Sequence, residues 1–155
     1  MSTSTAVIDR PQGCTNLKLR QLMRRVAQHY DTEMGKVGLK TTQYSLLSYV
    51  EKLGPVRPMD LAESIKMDAS TLTRNLKPLA DAGWVVVSAG VDARSRLVTI
   101  TDVGRQKRAE AKRKWKKAQE ALNEVLGISN VAALHTLIDQ SMDRLTPLKA
   151  QVSNE

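Results

Sequence analysis

Residues 68–104 read DASTLTRNLKPLADAGWVVVSAGVDARSRLVTITDVG, and within them the hydrophobic period changes once. Before Gly83, the large apolar residues recur at the spacing of one helical face. These residues are Leu72, Leu76 and Leu79. After Gly83 come two β-prone runs, 84–87 and 97–100, which are joined by a polar, turn-prone segment. The stretch therefore predicts a helix followed directly by an antiparallel β-hairpin.

A second, shorter helical pattern lies just upstream. Residues 59–66 predict a helix, and Asp68 is a good N-cap for the next helix, over 69–82. Pro78 lies inside that second helix and is expected to bend or tighten it. Two short helices a few residues apart, the second polar on its outer side, are typical of a helix-turn-helix. The hairpin that follows makes the unit a winged helix.

Helical patterns also flank this centre. Upstream, helices are predicted over 15–37 and over 41–53, the second with Thr41 as its N-cap. Downstream, a long helix is predicted over 101–126, and Ser129 is expected to cap a last one. The predicted fold is mainly α with a small β-hairpin, in the order α-α-α-α-β-β-α-α around a winged helix-turn-helix core.

Composition argues against several classes of protein. The 155 residues are 41% apolar, enough to bury the core of about one domain. One cysteine and two histidines argue against a disulfide framework and a metal centre, and no cofactor is expected. No common catalytic arrangement or glycine-rich phosphate loop is found, so neither an enzyme nor a catalytic residue is predicted. Because no membrane span or export pattern appears, the expected location is the cytoplasm.

The net charge predicts the kind of partner. Lysine and arginine number 24 against 16 acidic residues, a formal charge of +8. Such an excess favours a polyanion, with nucleic acid first and an anionic membrane second. A membrane partner is not expected, because the apolar side of the most basic segment, 105–117, carries one bulky residue, Trp115.

The polar side of the predicted helix over 69–82 has the chemistry of a groove-reading surface. Arginine pairs with guanine, asparagine pairs with adenine, and hydroxyls reach bases or phosphates, so we predict contact with double-stranded DNA. The predicted outward residues are Ser70, Thr71, Thr73, Arg74, Asn75 and Lys77. The alternative is an ordinary amphipathic surface helix, which is also polar on its outer side.

The tip of the predicted hairpin is the second candidate contact. Arg94 would enter a minor groove, where the narrow width deepens the negative potential, and Ser95 and Arg96 flank it. Asp92 is assigned a structural role, a salt bridge that orients a neighbouring arginine. The alternative is a solvated turn whose residues are polar for solubility.

Taken together, these motifs resemble the MarR (multiple-antibiotic-resistance regulator) family of winged-helix regulators. The resemblance covers about residues 14–145, with the Asp-x-Arg-x-Arg wing as its most specific part. The motifs are Gly54-Pro55, Leu61-Ala62, Thr71-Leu72-Thr73-Arg74, Gly83-Trp84-Val85, Asp92-Ala93-Arg94-Ser95-Arg96 and the segment from Leu97 to Gly104.

The resemblance implies a homodimer whose two winged helices bind half-sites of a pseudo-palindromic promoter, about 10 base pairs apart. It implies a transcriptional repressor that a small aromatic or phenolic ligand releases from DNA. It also implies that backbone amides near Thr41 and Thr42 contact phosphate, because a helix N-terminus attracts anions.

Apolar seams on the first, fifth and sixth predicted helices support a dimer independently, because a small central lobe cannot cover them. The predicted organisation is a flexible tail over 1–13, a helical dimerisation region over 14–40 and 102–155, and a winged helix-turn-helix DNA-binding lobe over 41–101.

An effector cleft between these two regions would combine apolar walls with cations for a carboxylate. Its candidate residues are Met23, Val26, Tyr30, Met34, Tyr44, Arg105, Arg108 and Lys112. The alternative assigns the apolar members to the core and the basic ones to a solvated helix face.

Two other functions stay open at this point. Cys14 lies near a predicted helix N-terminus, where a thiol becomes more reactive, so a redox-sensing regulator is one alternative. However, this chain departs from the branch of the family that senses hydroperoxides. The position of the sensor cysteine in that branch aligns near Asn16 of this chain, and Thr41 stands where that branch has a tyrosine. The other alternative is a winged-helix protein-interaction module that does not bind specific DNA sequences.

Overall fold

The computed structural model describes residues 10–92 and 95–152, and these form a mainly helical winged helix. The segment 1–9 of the predicted tail, Ala93 and Arg94 lie outside the described residues. The elements are α1 (Thr15–Met34), a 3₁₀ turn (Gly35–Val37), α2 (Thr41–Leu53), α3 (Pro58–Ile65), α4 (Ala69–Asp81), β1 (Val85–Ala89), β2 (Arg96–Ile100), α5 (Asp102–Leu126) and α6 (Ile128–Val152). The predicted order of helices and strands is confirmed.

Helix α4 follows the predicted pattern closely. The carboxylate of Asp68 accepts a hydrogen bond from the backbone N–H of Thr71 at 2.8 Å and so caps the helix. The helix continues through Pro78, and Gly83 follows it with a φ of +76°. The predicted apolar face is buried, and it consists of Leu72, Leu76 and Leu79. One face of α4 is therefore held in the core, and the opposite face is left for contacts outside the chain.

The β-hairpin is antiparallel, with Val85 opposite Ile100 and Ala89 opposite Arg96. A third segment pairs with β2, and the sequence did not indicate this pairing. The N–H of Val56 donates to the carbonyl of Val98 at 3.1 Å, and the N–H of Val98 donates back at 2.8 Å. This bridge ties the segment before α3 to the base of the wing.

One aliphatic core joins helices α1 to α5 and both strands, since Met34 of α1, Leu47 of α2 and Val98 of β2 belong to a single buried cluster. Helix α5 approaches it through small residues, and Gly104 is the tightest of them. A Cβ at Gly104 would lie well inside van der Waals distance of the Trp84 carbonyl oxygen. A larger residue would therefore push α5 away from the wing.

Two predicted caps are wrong. Thr41 is the first residue of α2 and Lys40 is its N-cap residue. Ser129 lies within the first turn of α6, because that helix begins at Ile128, directly after Gly127. Gly127 supplies the turn between the two helices with a φ of +84°.

Helices α5 and α6 also bear on membrane insertion. Within the described residues, no single helix is long and apolar enough to span a bilayer. Helices α5 and α6 reach the required length and hydropathy only when taken together, and the pair is bent by 102°.

Candidate nucleic-acid interface

The exposed face of α4 carries fewer side chains than the sequence predicts. Ser70, Thr73, Arg74 and Lys77 are exposed, as predicted. Thr71 and Asn75 are instead half-buried. The amide nitrogen of Asn75 donates toward the sulfur of Met67 at 3.6 Å, a weak contact that turns it toward the α3–α4 connection. These two residues are therefore less accessible than the sequence predicted, and their contact with DNA stays a prediction.

The hydroxyl groups at the start of α4 donate within the chain. Ser70 Oγ donates to Asp68 Oδ1 at 2.7 Å, and Thr71 Oγ1 donates to Asp68 Oδ2 at 2.9 Å. With the Thr71 backbone N–H as the largest contribution, these bonds lower the pKa of Asp68 to about 2. Thr73 Oγ1 donates to the carbonyl of Ala69 at 2.9 Å. Because the hydroxyl hydrogens are used within the chain, the hydroxyl oxygens are available to a ligand only as acceptors. The charged donors on this face are Arg74 and Lys77.

Arg74 and Lys77 are both accessible to a ligand. Arg74 Nη2 donates to Thr71 Oγ1 at 3.4 Å, and no carboxylate within the described part of the chain lies in ion-pair distance of its guanidinium. Lys77 Nζ lies 2.9 Å from Asp81 Oδ2, but both side chains are exposed. An exposed pair of this kind contributes at most about 1 kcal/mol, so it exchanges readily for a phosphate contact.

The wing turn is braced by Asp92 and Ser95. The N–H of Ser95 donates to Asp92 Oδ1 at 2.8 Å, and the N–H of Gly90 donates to the carbonyl of Ser95. A Cβ at Gly90 would overlap the Ser95 side chain, so the turn requires glycine there. The predicted salt bridge of Asp92 with an arginine is not tested, because Arg94 lies outside the described residues. Arg96 is exposed at the start of β2.

The N-terminus of α2 already holds an anion from its own chain. Asp31 Oδ1 accepts the backbone N–H of Thr41 at 3.0 Å and its hydroxyl at 2.9 Å. The amide of Thr41 is therefore occupied where the sequence predicted a phosphate contact. Thr42 is exposed on the same turn.

The eight candidate effector residues are spread over different surroundings. Met34 and Tyr44 are buried in the core, where Tyr44 packs on Trp115, whereas Met23 is exposed. Val26 and Tyr30 are half-buried, and Lys112 is exposed. The Tyr30 hydroxyl donates to Gln119 Oε1, and burial raises the pKa of Tyr30.

The two arginines among the candidates lie in ion pairs. Arg105 Nη1 lies 3.3 Å from Asp102, and Arg108 Nη1 lies 2.8 Å from Glu51. Arg108 also lines a cleft of about 390 Å³ between α2 and α5, together with Ser48 and Tyr49. Tyr49 was not among the predicted residues, because its position in the sequence carries no distinguishing pattern.

Cys14 is exposed at the N-cap position of α1, where its side chain makes no capping hydrogen bond. Across residues 10–92 and 95–152, no three His, Cys, Asp or Glu side chains cluster as a metal site.

Comparison with known proteins identifies the family. A sequence model of the MarR family matches residues 37–95, from the 3₁₀ turn to the wing. The uncharacterized HTH-type transcriptional regulator YwoH of Bacillus subtilis is 30% identical over 105 residues, which are 68% of this chain and 77% of YwoH. The chain belongs to the MarR family of transcriptional regulators.

Solved structures agree with this MarR assignment. The M. tuberculosis regulator MosR, solved in complex with DNA, is 28% identical with a TM-score of 0.68, over 83% of this chain and 98% of MosR. The repressor CouR bound to a 23-mer DNA duplex is 23% identical with a TM-score of 0.75, over 83% and 92% of the two chains. CouR has also been solved with p-coumaroyl-CoA. The likeness to CouR is one of fold, and the predicted family and fold class are confirmed.

Proposed function

We propose that this protein is a homodimeric transcriptional repressor that binds pseudo-palindromic promoter DNA. Helix α4 enters the major groove, and the wing carries Arg94 into the adjacent minor groove. The observation that carries the proposal is the exposed Arg74 and Lys77 on a helix whose opposite face is buried, beside a braced wing. MosR binds DNA with a related sequence and fold, which supports the same partner here.

Base reading falls mainly to Arg74. A guanidinium with no carboxylate partner among the described residues keeps its donors for a guanine. Ser70, Thr71 and Thr73 offer hydroxyl oxygens to amino groups of bases, and Lys77 contacts phosphate as a point charge. Asn75 has a lesser role, since its amide faces Met67. At the N-terminus of α2, we assign the phosphate contact to Thr42 rather than Thr41, because Asp31 accepts the hydrogen bond of the Thr41 amide.

Exposed apolar side chains on α1 and α6 support the homodimer. Leu19 on α1 is 54% exposed and Leu137 on α6 is 61% exposed. Further exposed members of this surface are Leu17, Leu22, Met23, Ile138, Met142 and Leu145. So many large apolar residues on two helices indicate an interface, and a second copy of this chain covers it with two-fold symmetry. We therefore assign dimerisation to 14–40 and 102–155, and DNA binding to 41–101.

We further propose that a small aromatic carboxylate or phenol releases the repressor from DNA. The α2–α5 cleft supports it, since it combines the ring of Tyr49 with Arg108, a cation that an effector anion would share with Glu51. We keep Met23, Val26 and Lys112 as candidate effector residues on the strength of the sequence alone. Redox control through Cys14 has weaker support, because the exposed thiol makes no specific contact at its helix terminus.

Selection from genomic DNA tests the proposal. The purified protein is mixed with sheared DNA, bound fragments are recovered and sequenced, and affinities are then measured against a scrambled duplex of equal length. We expect a motif with two half-sites about 10 base pairs apart and at least about 10³-fold preference over scrambled DNA. Equal affinity for both duplexes would favour the protein-interaction module instead. A regulator of this kind acts on the chromosome, without catalysis or cofactor, so we place it in the cytoplasm.

A further inference from the structure

We propose that Arg57 and Arg96 bind one backbone phosphate of the operator in the cleft between α3 and the wing. The inference rests on the proposed DNA binding and adds a contact that the sequence did not indicate, since Arg57 stands in a short connection without a recognisable pattern. It assigns the cleft a ligand of one chemical class, a phosphodiester of duplex DNA.

The cleft lies where the wing meets the first turn of α3. Its volume is about 450 Å³. From the α3 side it is lined by Arg57, Met59 and Asp60, and from the wing side by Asp92, Ser95 and Arg96. Because two of these wing residues form the braced turn, a wing in the minor groove brings the cleft to a strand that borders that groove.

Arg57 is oriented before any ligand arrives. Its Nε lies 2.8 Å from Asp60 Oδ2, and its Nη2 lies 3.3 Å from Asp60 Oδ1. This paired contact uses two of the five N–H donors of a guanidinium, so three remain for a phosphate. The Arg57 side chain is 66% exposed, and its fork is therefore both fixed and accessible.

The backbone bridge between Val56 and Val98 positions Arg57 relative to the wing. The two segments run antiparallel at this bridge, so the residue after Val56 advances toward the residues before Val98. Arg57 and Arg96 thereby reach the same cleft from opposite sides. Two cations held by separate elements can contact two oxygens of one phosphate.

The composition of the cleft favours DNA over a small free anion. Asp60 pairs with Arg57 at the cleft, so a free anion gains less there than beside an unpaired cation. A duplex already held by α4 and the wing presents its phosphate at high effective concentration, and the three N–H donors of Arg57 that Asp60 leaves free can bind it. Met59 is 77% exposed beside the cleft and provides apolar contact for a deoxyribose.

The test measures the affinity of Arg57→Gln for the selected operator at several salt concentrations. We expect a loss of roughly fivefold to tenfold with unchanged base preference, and a salt slope smaller by less than about 1.8 for a dimer, because Arg96 still contacts the shared phosphate in each half-site. Lys116→Gln is the matched control. It removes one charge from an exposed pair with Glu120, roughly 21 Å along α5 from Asp102, and is expected to retain the wild-type slope.

Two further measurements make the result independent of folding. Arg57→Lys keeps the charge, so it should keep the salt slope and lose part of the affinity, because an ammonium lacks the fork that Asp60 orients. Single methylphosphonates along the operator should include one that weakens the wild type more than it weakens Arg57→Gln, which keeps only the Arg96 contact with that phosphate.

The outcomes separate this inference from the proposed function. A wild-type operator preference together with an unchanged slope and affinity in Arg57→Gln would overturn the Arg57 contact alone. A changed base preference in that variant would also overturn it, since a phosphate contact does not read sequence. Failure of the wild type to prefer any duplex would overturn both.

Discussion

The carboxylate of Asp31 on α1 accepts both the backbone N–H and the hydroxyl of Thr41, the first residue of α2, at 3.0 and 2.9 Å. One side chain thus joins α1, which we propose to mediate dimerisation, to α2 in the lobe that we propose to bind DNA. A carboxylate at a helix N-terminus also interacts favourably with the helix dipole.

Removal of this carboxylate should destabilise the chain. We expect Asp31→Ala to lower the free energy of unfolding by about 0.5–2 kcal/mol, as loss of a helix-capping group does. Asp31→Asn keeps an acceptor oxygen and should lose less. Urea unfolding followed by circular dichroism measures both, and equal stability of the three proteins would contradict the contact.

The charge of Asp68 should make the stability of the protein depend on pH in acidic solution. Its pKa is about 2 in the folded chain, below its ordinary value of 3.8, so the ionised form favours folding. This contribution is fully present above about pH 4 and disappears as the pH falls through 2. Asp68→Asn retains a capping side chain without the charge. The difference in Tm between wild type and this variant should be constant above pH 4 and shrink between pH 4 and 2. A difference that does not shrink between pH 4 and pH 2 would show that the charge is not responsible.

Substitution of Gly104 tests how closely α5 approaches the wing. Alanine favours a helix, yet we expect Gly104→Ala to lower the free energy of unfolding by about 1–3 kcal/mol, because its Cβ meets the Trp84 carbonyl. Gly35→Ala is the matched control, since a Cβ there has no neighbour within 4 Å and the backbone is already helical. That variant should be as stable as the wild type or slightly more stable in urea. If both variants behave alike, α5 does not approach the wing as described.

Three substitutions should separate base reading from phosphate binding. We expect Arg74→Ala and Arg94→Ala each to weaken specific binding by about 1–3 kcal/mol, the first with a change in base preference. Lys77→Ala should weaken binding to all duplexes and reduce the salt slope by about 0.9 per lysine. Competition binding with single-base operator variants measures the preference. If Arg74→Ala keeps the wild-type base preference, Arg74 does not read bases. If Arg94→Ala keeps the wild-type affinity, Arg94 of the wing does not contribute to DNA binding.

The apolar surface of α1 and α6 should be the dimer interface. A glutamate at Leu19 or Ile138 would have to be desolvated there, so either substitution should yield a monomer in sedimentation equilibrium. Val91→Glu on the exposed wing turn is the control and should stay dimeric. A wild-type chain that is monomeric at micromolar concentration would contradict the homodimer.

The sequence by itself determined the elements of this protein and the buried face of α4. Leu72, Leu76 and Leu79 lie three and four residues apart, and Asp68 stands just before them, so local spacing was sufficient. The change of period after Gly83 predicted the hairpin for the same reason. Two caps were misassigned, at Thr41 and Ser129, because a capping residue type does not reveal where the backbone turn ends.

Only the tertiary structure decided which side chains are available for binding. The contact of Asp31 with Thr41, the bridge of Val56 with Val98 and the cleft that joins Arg57 to Arg96 each link residues from separate elements. The contact that turns Asn75 toward Met67 likewise depends on how α3 packs against α4. No hydrophobic period encodes such contacts, because they depend on the path of the chain between the elements.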